Sequence, residues 1–188
     1  MTLPIKKSSD LLKADTELIR KSIAAGATDD EFKTFMYLCK AYDLDPLKKE
    51  IYFIKYGNSK PTILTSRDGY LKIANLNENF NGLESDVVYQ GDVLTKREDG
   101  SLHISYGAEH LSFDKSKLTG AFCSVFRKDR AKATTVFVSI REYYKKDAPI
   151  WQQYTNAMIL KVAEAMALKR AFAISGLVTK EEIDDEGV

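Results

Sequence analysis

At 188 residues and 21.2 kDa, the chain is long enough to bury roughly 70% of its extended-chain surface in a single core, so no disulfide or metal staple is required. Its two cysteines, Cys39 and Cys123, show no C-x-x-C spacing, and the basic, polar N-terminus does not read as a secretory segment, so a reduced cytosolic setting with both thiols as packing residues is expected. No apolar run reaches the ~18 residues of a bilayer span, and the formal charge of +1 hides a polarised chain: nine basic against two acidic residues between Lys115 and Lys146, and five acidic against one basic between Lys180 and Val188.

Residues 1–9 read as a loose arm. Leu11, Leu12, Leu18, Ile19 and Ile23 then recur at helical spacing and predict an amphipathic helix ending near Gly26. Thr28 and Glu31 form a capping-box pattern for a second helix with Phe32, Phe35, Met36, Cys39 and Tyr42 on one face, stopped by Asp45-Pro46. Residues 50–56 and 62–65 are β-rich runs around Gly57-Asn58-Ser59-Lys60-Pro61, which predicts a hairpin. Ser66 can cap a helix reaching about Leu76 with Asp68 in its first turn; Gly69 inside it costs about 1 kcal/mol relative to Ala and points to something approaching the backbone closely.

From Phe80 to Leu118 the pattern is weak, consistent with short strands and exposed loops whose order the sequence does not specify. Residues 121–126 and 134–140 read as two strands flanking the tip Arg127-Lys128-Asp129-Arg130-Ala131-Lys132, four cations in six residues. Past the Pro149 break, residues 158–177 predict a long helix. Fourteen of the eighteen positions from Ala157 to Ile174 are apolar on all sides, the mark of a helix buried inside a domain. Lys161, Glu164, Lys169 and Arg170 interrupt it. A buried unpaired charge costs several kcal/mol, so each is expected to pair, as Lys161 could with Glu164, or to reach a wet groove where phosphate is one candidate partner. Thr179 and Glu182 open a last acidic turn.

The catalytic inventory is thin. His103 and His110, the only histidines, lie in the weakly patterned middle and read as exposed loop residues, leaving little material for a triad or a His-rich metal site. The turn at residues 57–62 lacks the G-x-x-x-x-G-K-[ST] spacing of a phosphate loop, so ATP use is not indicated. Glu50, Asp68, Asp114 and Asp129 do not cluster at a spacing diagnostic of a two-metal nuclease. The basic tip is better material: a solvated turn explains it equally well in isolation, but its cations can also reach a phosphate backbone without core desolvation. Tyr143, Tyr144, Trp151 and Tyr154 interleave with Arg141, Lys145 and Lys146, pairing stacking faces with cations as single-strand binders do, although part of that set must be core. Arg67, Tyr70 and Lys72 sit on the helix after Ser66, where a helix N-terminus plus Arg makes a competent phosphate site and a salt bridge to Asp68 or Glu50 is the plain alternative.

Three stretches together carry a resemblance: residues 42–52, with Asp45-Pro46 and Lys49-Glu50-Ile51-Tyr52; Arg67-Asp68-Gly69-Tyr70 and Phe126-Arg127-Lys128-Asp129; and Trp151 followed by residues 158–177. In this order the chain resembles the RecT/Red-beta (Bet) phage recombination proteins from about Thr28 to Glu182. The resemblance implies a single-strand DNA annealing protein that works without ATP, assembles into rings or helical filaments, and pairs complementary strands beside a phage 5′–3′ exonuclease, with a host single-strand-binding protein as a further partner. Carried over by that match, Lys49, Arg67, Arg127, Lys128, Lys161, Lys169 and Arg170 are candidates for the groove holding the DNA backbone. Arg130, Lys132, Arg141, Trp151, Tyr70 and Lys72 join them from the residue patterns, as do Lys55 and Lys60 on the first hairpin. Longer relatives continue into a helical tail that contacts partners, whereas only an acidic stub follows Gly176 here.

The expected architecture is a single α+β domain: a small, mostly antiparallel sheet with hairpins packed against several helices, including a long buried C-terminal one. Residues 1–9 would be a flexible arm, 10–178 the annealing core and 179–188 the acidic stub, with a basic groove between the second hairpin and the long helix. The expected protein is a homo-oligomeric, non-enzymatic DNA binder in the cytoplasm of a bacterial host, away from membranes. It holds single-stranded DNA and the annealed duplex intermediate, with no cofactor and Mg²⁺ at most assisting. A passive single-strand binder and a metal-dependent nuclease are the alternatives.

Overall fold

The computed structural model describes residues 15–179; the arm, the Leu11–Leu12 start of the first helix and the acidic stretch beyond Thr179 lie outside them. The chain is α+β, with small antiparallel sheets and a long C-terminal helix against the strands. The described residues gather into two compact units, one running to Ile73 and resumed from Gly176, the other spanning Ala74–Ser175.

The first unit holds α1 (Thr16–Ser22), α2 (Asp29–Ala41), β1 (Ile51–Ile54), β2 (Thr62–Thr65) and the start of α3 (Arg67–Leu76). At the head of α2 the expected capping box forms. The Thr28 hydroxyl accepts from the Glu31 amide at 3.3 Å and the Glu31 carboxylate from the Thr28 amide at 2.8 Å, satisfying two donors a helix start leaves open. Its buried face carries Phe32, Phe35, Met36 and Cys39, and Phe35 meets Phe53 of β1 edge-to-face at 5.5 Å, a contact contributing about 0.5–1.5 kcal/mol beyond burial. Strands β1 and β2 pair antiparallel from Ile51↔Thr65 to Ile54↔Thr62. Beyond the long helix the chain returns to this unit, where Val178 forms a parallel bridge with Leu64 of β2.

The second unit holds β3 (Phe80–Tyr89), β4 (Val93–Lys96), β5 (Leu102–Ser105), α4 (Ala108–Ser112), β6 (Leu118–Arg127), β7 (Thr134–Ser139), α5 (Ile140–Tyr143), α6 (Pro149–Gln153) and α7 (Thr155–Ala171). Its main sheet runs β3-β6-β7. Because side chains alternate along a strand, the register puts Ser85, Cys123 and Val136 on one face and Glu84, Ser124 and Thr135 on the other. Helix α7 lies on the first face, where the Ser85 hydroxyl donates to Glu164 at 2.7 Å. The β4–β5 hairpin lies on the second, where the Leu102 amide donates to the Ser124 hydroxyl at 3.2 Å and the Thr135 hydroxyl to the Gly100 carbonyl at 3.0 Å. Covered on both sides, the middle of β6 reads as a continuous buried run.

Three expectations need correction. Helix α7 ends at Ala171 rather than Leu177, because Ala173 takes the left-handed conformation (φ +49°). The Ile174 amide then bonds the Lys169 carbonyl and the Ala173 amide the Arg170 carbonyl, the double closure of a Schellman turn. Nor is α7 buried all round. Ile159, Val162, Leu168 and the alanines at 163, 165, 167 and 171 are buried, while Ala157, Lys161 and Arg170 are exposed. Finally, His110 is no exposed loop residue: it is buried, its Nδ1 bonded to the Asp92 carboxylate at 2.8 Å and its ring stacked on Tyr106 at 4.0 Å. No helix among the described residues is long and apolar enough to cross a membrane.

Candidate nucleic-acid interface

The Asp-Pro motif of the first unit is built into its own backbone. Asp45 is buried; its carboxylate caps a short 3-10 turn (Pro46–Lys48) by accepting from the Leu47 amide at 2.9 Å. The Glu50 carboxylate accepts from the Asp45 amide at 2.7 Å and from Lys72 at 2.9 Å, and Lys72 also lies 3.9 Å from Asp43. Ser66 caps α3, its hydroxyl accepting from the Gly69 amide at 3.0 Å and donating to the Glu50 carbonyl at 3.2 Å. A Cβ at Gly69 would stand 2.3 Å from that same carbonyl, so the close approach that a helical glycine announced is the chain's own Glu50. Of the two readings of this helix start, the salt bridges form: Arg67 to Asp68 and Lys72 to Glu50.

Four of the candidate cations therefore have carboxylate partners. Lys72 pairs with Glu50, Arg67 with Asp68 at 3.2 Å, and Lys55 with Glu31 at 2.7 Å, its side chain only 10% exposed. Arg127 grips Asp129 through Nε at 2.8 Å and Nη2 at 2.6 Å, which raises the guanidinium pKa and holds the Asp129 carboxyl below the usual range. It also donates to the Ala171 carbonyl at 2.9 Å and lies 4.9 Å over the Phe172 ring. Arg127 is thus a clamp on the last turn of α7, tying the hairpin tip to the helix end. Where the basic groove was expected, between hairpin and helix, Arg127 bridges the tip to the end of α7, and α7 packs on β6 and β7.

The aromatic candidates divide by burial. Tyr70 is 0% exposed and Trp151 4%, so neither presents a ring face to a base; Trp151 instead meets Tyr144 edge-on at 6.2 Å. Tyr144 and Tyr154 are exposed.

Six candidate cations remain exposed and form no ion pair among the described residues: Lys49 and Lys60 in the first unit, Arg130, Arg141, Lys161 and Arg170 in the second. Lys128 and Lys132, also exposed, donate only to the backbone carbonyls of Glu78 and Glu98. Lys169 is half-buried in the last turn of α7, where it and Arg170 complement the negative end of the helix dipole. The four charges of the apolar helix are accounted for: the Glu164 carboxylate accepts from the Ser85 hydroxyl, Lys161 faces water, and the other two sit where a helix favours cations.

Patterning did not single out two clefts on the second face of the main sheet. One, of about 630 Å³, is lined by Lys117, Thr119, Ser139 and Arg141; the other, of about 560 Å³, by Lys96, Arg97, Leu102 and Lys132; Phe137 borders both. In Thr134–Ser139 the outward aromatic falls between Thr135 and Ser139 and opposite buried Val136 and Val138, an alternation that could have flagged it.

Among curated proteins no match was found. The RecT family model matches residues 9–188, nearly the whole chain and all the stretches above. The chain belongs to the RecT family, whose members anneal single-stranded DNA in phage-type recombination.

Proposed function

We propose that this protein anneals complementary DNA strands without ATP, as a homo-oligomer that holds each strand by its phosphates against exposed cations of the second unit. The observation that carries the reading is the disposition of Arg130, Arg141, Lys161 and Arg170, exposed and free of ion pairs among the described residues. Exposed cations engaged in no ion pair are available to phosphate, whose counterions are released on binding. Backbone contact turns bases outward so that a second strand can test pairing; base pairing supplies the driving energy, and sequence preference is slight. Oligomerisation extends the surface along the strand, so weak contacts per subunit add through effective concentration. The setting is the cytoplasm of a bacterial host, beside a phage 5′–3′ exonuclease and a host single-strand-binding protein, with Mg²⁺ at most an aid.

Annealing of complementary fluorescent oligonucleotides without ATP tests this. Pairing should run faster with the protein than without it, and Arg130→Ala with Lys161→Ala should lower the rate while leaving thermal unfolding in place. Binding with no acceleration would make the protein a passive single-strand binder. Cleavage of labelled DNA in Mg²⁺ or Mn²⁺, lost in Asp68→Ala, would make it a nuclease.

A further inference from the structure

Phe137 is 46% exposed in the middle of a strand, and its position is fixed by its neighbour across the ladder. A Cβ at Gly120, its near-opposite on β6, would stand 2.9 Å from the Phe137 ring tip and 2.1 Å from the Val138 carbonyl. Only glycine lets the ring lie down over β6 with its other face open. The ring borders both clefts, so it forms the ridge between them. On one side stand Lys117 and Arg141, with no carboxylate in the lining. On the other, Lys96, Arg97 and Lys132 face a single acidic residue, Glu98, while Arg97 is held by Glu84 at 2.6 Å. Thr135, Phe137 and Ser139 share this face, spaced about 6.6 Å apart.

Resting on the reading that this chain holds single-stranded DNA, we infer that Phe137 is a base-stacking subsite, with Lys117 and Arg141 gripping the adjoining phosphates. A flat, half-open ring offers any base a π-face, and sheet faces present stacking aromatics to unpaired bases in other single-strand binders. Each cleft falls in the size range of small-ligand sites, ~300–1,000 Å³. The occupant favoured is nucleic acid rather than a second protein surface, because the cations flanking the ring include Lys117 on one side and Lys96 and Lys132 on the other, and lysine is depleted in protein interfaces while phosphate calls for cations.

The test uses the full chain, a short oligothymidine and a bromodeoxyuridine-substituted version for photocrosslinking. Phe137→Ala should weaken binding about 5- to 100-fold with the slope of log K against log salt unchanged, and Phe137→Trp should restore it. Lys117→Ala with Arg141→Ala should lower the slope by about 1.4. Crosslinks should map to the peptide carrying Phe137. Wild-type binding and annealing with Phe137→Ala indistinguishable, and crosslinks elsewhere, would overturn the subsite while leaving the proposed function standing. Loss of self-association in Phe137→Ala at unchanged oligothymidine affinity would mark the face as a protein interface and overturn it equally. A wild-type chain that neither binds nor anneals would overturn the function, and the subsite with it.

Discussion

Arg127→Ala separates a clamp from a DNA contact. The guanidinium is 13% exposed and makes two contacts with the end of α7: a hydrogen bond to the Ala171 carbonyl and a stacked position over Phe172. A charge-assisted bond to a helix-terminal carbonyl contributes about 1.5 kcal/mol at the low end of its range, and a partly desolvated cation–π contact about 0.5–1. Truncation to Ala should therefore cost about 2 kcal/mol, a Tm drop of about 4–8 °C for a chain of this length. Arg130, three residues on, is exposed and unpaired, so Arg130→Ala should leave Tm in place and lower the salt slope of oligonucleotide binding by about 0.7. Urea and thermal unfolding followed by circular dichroism, with salt-titrated binding on the same preparations, reads both quantities. An Arg127→Ala protein as stable as wild type but with a slope lower by about 0.7 would refute the clamp and return the residue to the phosphate-binding set.

Replacing Lys128, Arg130 and Lys132 together with Ala should lower the salt slope by up to about 2.1 without unfolding the protein, since all three are exposed, none is in an ion pair among the described residues, and Lys128 and Lys132 donate to backbone carbonyls; an unchanged slope would make the tip a solubilising turn. Gly69→Ala should destabilise by about 3 kcal/mol or more in urea melts, because its Cβ would overlap the Glu50 carbonyl, which cannot move without breaking the Ser66 cap. Ala173→Gly should stabilise by about 1 kcal/mol, relieving a left-handed conformation that costs an L-residue that much. Burial opposes ionisation of Asp92, but the hydrogen bonds it accepts from His110 and from the amides of Tyr89 and Gly107 outweigh this and hold its carboxyl below the usual range. Its contribution to stability is thus complete above about pH 4, the unfolded value, and disappears as pH falls through the lower folded value. Asp92→Asn should flatten acid unfolding in that window, and an unchanged acid limb would discount the pair.

Local signals were legible where they are decided within a few residues. The capping box at Thr28–Glu31, the hairpin around residues 57–61 and the two strands beside the basic tip fell where apolar period and turn chemistry put them. Strand β3 was not, because Asn81, Gly82, Glu84 and Asp86 make it read as a polar loop; in the fold Glu84 pairs with Arg97 and Asp86 accepts from the Tyr106 hydroxyl. The site was partly legible for the same reason. A run of cations is visible in one dimension, but whether each faces a carboxylate is a property of the fold. Lys55 and Glu31 are twenty-four residues apart and no spacing rule foretells that pair, whereas Lys72 with Glu50, twenty-two apart, was one of two readings the sequence left open and only the fold decides between them. All-round apolarity misled over α7, since alanine is as compatible with a wet helix face as with a packed one.

Cys39 and Cys123 are both fully enclosed, and burial, aided by Asp45 beside the first and Glu164 beside the second, pushes each thiol up to about 12. At neutral pH almost no thiolate forms and reagents have no path to the sulfur. Maleimide dyes attached to a cysteine introduced at Asn58 or Ala131 will therefore label that position alone, so strand movement on the natural background can be followed by energy transfer without first stripping the protein of its own sulfhydryls.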